Sequence, residues 1–314
     1  MQRYALDELG AAIDALDPFG GRLHAGVHRS RKAMRRSRAV LALGGDAMGP
    51  GGRLIDRALR KANRGLSDLR DAHALVETLE RLLDRASDED ARVHLHRARH
   101  VATARRDAVG GDTACLRHVA DVRALLRTLR TALPGLPWEA LAMGTIDVAL
   151  AKTARTVEIA STRVAETNAD TDWHAWRRRL RRLSQQHRAL SAAGFPRAAD
   201  TFDKSLAEQL GALQDLQLLR DHCGKRSPFA KPDRKALKTF ADAALHTQRQ
   251  RLRSAGIDHA PAQNPPFHQS AWMAATIADM KTTNLSDPAT ASRKRRRESA
   301  TSSSDADTHN PPLR

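Results

Sequence analysis

Residues 27–41 read VHRSRKAMRRSRAVL, and residues 173–190 read WHAWRRRLRRLSQQHRAL. In each, a histidine is followed by basic residues at +3, +4, +7 and +8. His28 is followed by Arg31, Lys32, Arg35 and Arg36; His174 is followed by Arg177, Arg178, Arg181 and Arg182. At about 100° per residue these offsets lie within about 80° of the histidine, so each segment predicts a helix with an imidazole and four cations along one stripe. Like charges at i,i+4 destabilise a helix by roughly 0.2–0.5 kcal/mol per pair. A solvated face would normally mix Glu between them, yet no acid interrupts residues 29–40 or 173–199. An anion is therefore expected to neutralise each stripe. An ordinary solvated basic face accounts for either stripe alone; its recurrence with the same spacing argues for a site.

The recurrence extends further. Leu66-Ser67-Asp68-Leu69-Arg70-Asp71 matches Leu210-Gly211-Ala212-Leu213-Gln214-Asp215, at an offset of 144 residues against 146 for the histidines. This is the signature of a duplicated helix–loop–helix unit. Leu59, Ala62, Leu66 and Leu69 recur at helical spacing, as do Leu206, Leu210, Leu213 and Leu216, and no segment alternates as a strand would. Breakers at Gly44-Gly45, 49–52, 110–112, 134–137, 195–196 and 225–232 divide windows rich in Ala, Leu, Arg and Glu. Ser87-Asp88-Glu89-Asp90 has the composition of a helix start. The reading is all-α, with about eight main helices. The first repeat spans 1–134, the second 135–281, and 282–314 is a disordered polybasic tail containing Arg293-Lys294-Arg295-Arg296-Arg297.

Composition sets the same bounds. Of 314 residues, 41% are hydrophobic but only 4% aromatic, which favours a core of Leu, Ala and Val in packed helices. Fifty-three Lys and Arg against 36 Asp and Glu give a net charge of +17. The pI is near 11.0 and the mean hydropathy −0.54. The tail carries six basic and four acidic residues, so about +15 stays on the folded part. Such a surplus predicts a polyanionic partner. Cys115 and Cys223 are far apart with no CxxC, which argues against a disulfide scaffold or a Cys-type zinc site. The opening MQRYALDELG lacks the pattern of a secretory signal, and no run of about 18 apolar residues occurs. The expected location is the cytoplasm.

The two stripes, with LSDLRDAHALVETL and LGALQDLQLL downstream, resemble the CHAD domain (conserved histidine α-helical domain) over roughly residues 22 to 255. The resemblance implies two pseudo-symmetric helical bundles around a basic cavity or pore. It also implies binding of inorganic polyphosphate and association with polyphosphate granules, and some members are fused to a triphosphate-hydrolysing CYTH domain. The binding residues would be the ten of the two stripes, with Arg60, Arg64 and Lys204 as further candidates. Asp71 and Asp215, at equivalent repeat positions, would each orient an Arg or the His of its own repeat; a helix-surface ion pair explains them equally well. Two departures stand out. Leu183-Ser184-Gln185-Gln186-His187 replaces an expected Arg-Tyr pair and later carboxylate, and Gln214 stands at the position of Arg70.

The chemistry of the ligand fits the residues. Polyphosphate has no base edges to read, so a binder needs many donors at repeating spacing. Arg offers a planar fork to phosphate oxygens and Lys a point charge. There is no Walker A, HExxH or paired ExExK pattern. His94, His96 and His100 lack a nearby acid or Cys at ligand spacing, so no metal, cofactor or catalytic residue is assigned. A non-catalytic polyphosphate binder is the leading reading. A nucleic-acid-associated basic protein comes second, without helix-turn-helix spacing, RNP motif or zinc finger to support it. An accessory subunit of a phosphoanhydride-processing enzyme comes third. The Trp residues, 138, 173, 176 and 272, read as packing residues.

Overall fold

The computed structural model describes residues 1–17, 23–86, 88–195, 204–225 and 227–256. These are helical with no strand among them, as the sequence pattern requires. In chain order the helices are α1 (Gln2–Asp14), α2 (Leu23–Gly44), α3 (Gly49–Gly65), α4 (Ser67–Arg85), α5 (Glu89–Gly111), α6 (Thr113–Ala132), α7 (Met143–Thr167), α8 (Asp170–Ala192), α9 (Lys204–His222) and α10 (Lys231–Gly256). There are more than the expected eight because slight breaks suffice. α3 gives way to α4 across Leu66 alone, and α5 to α6 across Asp112. The described residues all fall in one compact unit. No helix among the described residues is long and apolar enough to cross a membrane. The predicted tail, residues 282–314, and Trp272 lie outside the described residues.

The punctuation acts through identifiable chemistry. Asp88 caps α5, its carboxylate accepting from the backbone N–H of Asp90 and Ala91; Ser87 itself lies outside the described residues. Asp112 caps α6 in the same way, through Ala114 and Cys115. Gly45 and Gly49 take φ of +51° and +61°, which only glycine adopts at low cost, and bracket the 3-10 turn between α2 and α3. Asn168 ends α7 at φ +51° and accepts from Trp173 Nε1 at 2.9 Å, fixing the entry into α8.

Four apolar cores hold the helices, the smallest joining Leu43 of α2 to Ile146 and Leu150 of α7 and Leu190 of α8. The first joins α1, α2, α3 and α6 through residues such as Leu9, Met34, Leu59 and Leu126. The second joins Leu75, Leu79, Leu95 and Ala98 of α4 and α5 to Leu219, Leu237 and Ala241 of α9 and α10. The third gathers Val164, Trp173, Trp176, Leu210, Leu213 and Leu245 from α7 to α10. The chain turns at Pro134–Pro137 in a pair of 3-10 turns, and beyond that turn α9 and α10 return to share a core with α4 and α5. Arg81 of α4 reinforces this contact by donating to Asp215 of α9 at 2.7 Å.

α2 is central: it packs on α1, α3, α4, α7 and α8. Its buried seam uses small residues, among them Gly26, Ser30, Ala33 and Ser37, which let neighbouring backbones come close. Ser37 Oγ donates to Ala5 O of α1 at 3.3 Å. A Cβ on Gly26 would stand 2.1 Å from Ala15 O. Gly26→Ala is therefore expected to force α1 off α2, at about 1–3 kcal/mol for an overpacked contact. Thermal unfolding followed by circular dichroism should show a midpoint lower by several degrees, with the helical signal retained below the transition.

Candidate functional site: a cation-lined cavity between α2, α4 and α8

α2 and α8 are long, Ala-, Leu- and Arg-rich helices whose apolar rows face the cores. On α8 that row is Trp173, Trp176 and Leu180, which leaves Arg177 and Arg181 turned away from it. α2 packs directly against α8, and α4 packs against α2. Between the three lies a cavity of about 300 Å³. α2 contributes His28, Arg31, Lys32, Arg35 and Arg36; α4 contributes Arg70; α8 contributes Arg177, Arg181, Ser184, Gln185 and Arg188. Eight of these eleven residues are Arg or Lys and none is acidic.

The cations fall into two groups. The outer ones are held by acceptors behind them. Arg36 donates to the two oxygens of Glu8 at 3.0 and 3.3 Å, and both side chains are nearly buried. Arg70 donates to Asp71 at 2.7 Å. Arg31 donates to the Asn63 carbonyl and to Ser67 Oγ, while Asn63 Nδ2 donates back to Arg31 O at 3.0 Å. The inner ones, Arg35, Arg177 and Arg181, have no hydrogen-bond or ion-pair partner among the described residues.

Their electrostatics follow. Burial, then the charges of Arg181, Arg31, Arg70 and Arg177, push the Arg35 guanidinium down to about 9. Burial and Arg181 and Arg70 push Arg177 down to about 9, with Asp215 opposing. Burial and Arg70 bring Arg31 to about 10. Burial, Arg70 and Arg178 lower Arg181 as well. Each shift says that the charged form is disfavoured where the fold holds it, so an arriving anion relieves both desolvation and repulsion.

Seven of the ten stripe residues line this cavity and three do not. His174 turns toward α9, where Gln214 Oε1 accepts from its Nδ1 at 2.7 Å. Its neutral ring then presents Nε2 as an acceptor, and it donates to an anion only when protonated. Arg178 and Arg182 lie about 100° round α8 from Arg177 and Arg181; Arg182 lines a separate hollow with Arg60. Of the two histidines expected to face one basic concavity, His28 lines this cavity and His174 is not among its lining residues. The row of α8 that faces the cavity is 177, 181, 184, 185 and 188, displaced by about a turn from the one counted from the histidine. Arg64 is exposed, and the side chain of Lys204 lies outside the described residues.

Asp71 meets Arg70, its neighbour on α4. Asp215 differs: its ion pair is with Arg81 of the other half, although its charge also reaches Arg177. His94 is paired with Asp233 Oδ1 at 2.6 Å. Arg188, Ser184 and Gln185 were missed because they lie beyond the +8 offset; continuing the same face by i+3 and i+4 steps from Arg181 reaches all three.

A family model described as CHAD domain matches residues 5–224, which include every residue of the cavity lining. Comparison with curated proteins finds no match.

The unpaired inner cations give a test that needs no ligand. Replacing a half-buried, unpaired charge by an apolar side chain of similar length is expected to stabilise the fold, by about 1–2 kcal/mol. Arg35→Met should raise the unfolding midpoint of the ligand-free protein by a few degrees. The pH response has a definite sign. With a folded value near 9 and an ordinary value of 12.5, the unfolded state holds more protons between those limits. Stability of the wild type should therefore rise as pH increases through 9, and Arg35→Met should reduce that slope.

Proposed function

The chain belongs to the CHAD domain family, associated in general with polyphosphate binding, and on that premise we propose that it binds inorganic polyphosphate in the cavity between α2, α4 and α8. One observation carries the reading: eight cations and no acidic side chain surround a single hollow of about 300 Å³. A flexible chain of phosphates can enter such a space and find a donor at each unit. A DNA duplex cannot, since its phosphates are fixed on a rod whose major groove alone is about 12 Å wide.

The residues divide the work. Glu8, Asp71 and Asn63 hold Arg36, Arg70 and Arg31 in place, so these guanidinium groups lose little entropy on binding. Arg35, Arg177 and Arg181 supply charge that the protein leaves uncompensated. His28 lies beside Arg35, Arg70 and Lys32, with Glu77 opposite, and burial is the chief cause holding its imidazole below the usual range. Bound phosphate raises that value, so binding takes up a proton.

The activity proposed is binding without turnover. The lining has no carboxylate to hold a magnesium ion or to activate water. The cellular role that fits is association with polyphosphate granules or scaffolding there.

Four outcomes are expected. Long-chain polyphosphate should displace duplex DNA at physiological salt; tighter DNA binding would overturn the reading. Arg31, Arg35, Arg177 and Arg181 changed together to Ala should lose most polyphosphate affinity with helical content intact, whereas deleting 282–314 changes it only a few-fold, although the deletion removes six cations and the quadruple variant four. Equal losses would mean diffuse electrostatics. Affinity should also rise as pH falls from 7.5 to 5.5, since the gain is complete below the free value of His28 and lost above the bound value, and His28→Gln should flatten this dependence. No phosphate should be released from polyphosphate with Mg²⁺ above background.

A further inference from the structure

The face of α8 that carries Arg177 and Arg181 closes the cation-lined cavity. Another face, carrying Arg179 and Arg182, opens on a groove of about 850 Å³ against α7 and the 3-10 turn after α2. Its size falls in the range of about 300–1,000 Å³ typical of small-molecule sites.

Its chemistry differs from that of the cavity. The α7 wall is built from Val148, Ala149 and threonines. The Thr153 hydroxyl donates to Ala149 O at 3.0 Å and that of Thr156 to Thr153 O at 2.7 Å, so their hydrogen bonds are spent on the helix itself and methyl groups remain for a ligand. Val148 is 70% exposed in this concave wall, more than Leu54 at 60% or Ile159 at 48%. Lys152, Arg179 and Arg182 stand beside it. Past Arg182 the groove continues into a hollow of about 320 Å³ that shares Gly45, Asp46 and Arg182 with it and reaches Arg57 and Arg60 of α3. Arg60 is neutralised by Asp56 at 3.3 Å, and Arg53 by Asp46 at 3.5 Å. Lys152, Arg179, Arg182 and Arg57 have no such partner among the described residues. One end is thus aliphatic and the other cationic.

We infer that this groove is a second binding site, for a ligand that joins an apolar ring to an oligophosphate tail: a nucleoside di- or triphosphate, with the base on Val148 and Ala149 and the tail directed along Arg182. A bare phosphate chain would leave the aliphatic wall uncovered, and it already has a better-charged site in the cavity. The inference does not depend on polyphosphate being the cavity's ligand.

The test is calorimetric titration of the full chain at physiological salt with ATP, tripolyphosphate and adenosine. The Arg31, Arg35, Arg177 and Arg181 to Ala variant serves as the background that removes the cavity. On that background ATP should bind within two-fold of wild type, while tripolyphosphate and adenosine each bind at least ten-fold more weakly than ATP. Val148→Asp should weaken ATP at least ten-fold, Val148→Ile should retain it, and Lys152→Ala should weaken it several-fold. Long-chain polyphosphate affinity of the otherwise wild-type protein should stay within two-fold in all three variants. Val148 is exposed, so circular dichroism should show its variants fully folded. Tripolyphosphate matching ATP, indifference of ATP to Val148→Asp, loss of ATP together with the cavity cations, or no ATP binding would each overturn the inference. Failure of polyphosphate to bind the wild type while ATP meets these criteria would overturn the cavity's proposed ligand and leave the groove standing.

Discussion

Arg35 of α2 faces Arg177 and Arg181 of α8 across a half-buried contact, and among the described residues none forms a hydrogen bond or ion pair with the three. The rest of the structure has to hold that repulsion together. The apolar cores do most of it: α2 is clasped by α1 and α3 through Val27, Met34, Val40 and their partners, and α8 by α7 and α9 through Trp173, Trp176 and Leu213. Hydrophobic burial has no direction and contributes roughly 25 cal/mol per Å², so it can press two like-charged helices together without placing a counter-charge between them. A design that used ion pairs for the same contact would fill the cavity with carboxylates.

The acidic residues are placed accordingly. Glu8 lies behind Arg36, Asp71 behind Arg70, and Asp215 on Arg81, each outside the cavity lining. Farther away, Asp170 accepts from both Arg220 and Arg249, and burial is outweighed by these two donors, so its carboxyl stays below the usual range. Arg249 also lies over the Trp173 ring at 5.8 Å, which ties α10 to the start of α8. Carboxylates in this protein therefore orient cations or join helices at the periphery, and the centre keeps a positive field. Holding Arg35, Arg177 and Arg181 together without a counter-charge costs stability.

The all-α fold was legible because its signal is local. Leu59, Ala62, Leu66 and Leu69 recur at helical spacing and are all buried, and Asp88 and Asp112 cap the helices they precede. The stripe on α2 was legible for the same reason: all five residues from His28 to Arg36 line the cavity. What the pattern could not carry was the angle at which α8 crosses α2. That angle depends on how Trp173, Trp176 and Leu180 seat against α7, α9 and α10, which are long-range contacts. It moves the cavity-facing row from His174 toward Arg188. The shared core of α4 and α5 with α9 and α10 was hidden likewise, since the turn at Pro134–Pro137 marks a change of direction in the chain and says nothing about which helices meet afterwards.

The surroundings of His28 and His174 differ chemically. On the first side, α4 offers Arg70 into the cavity beside His28. On the second, Gln214 occupies the matching place and turns its amide oxygen to His174 Nδ1. Gln214 thus brings no cation and also fixes a tautomer whose free nitrogen repels an anion until a proton arrives. Burial is the first cause lowering the values of both histidines, but the neighbours differ: Glu77 favours the charged form at His28 and the Gln214 hydrogen bond favours it at His174. The cavity is consequently strongly cationic beside Arg70 and Arg31, while His174 stays outside its lining, held on Gln214.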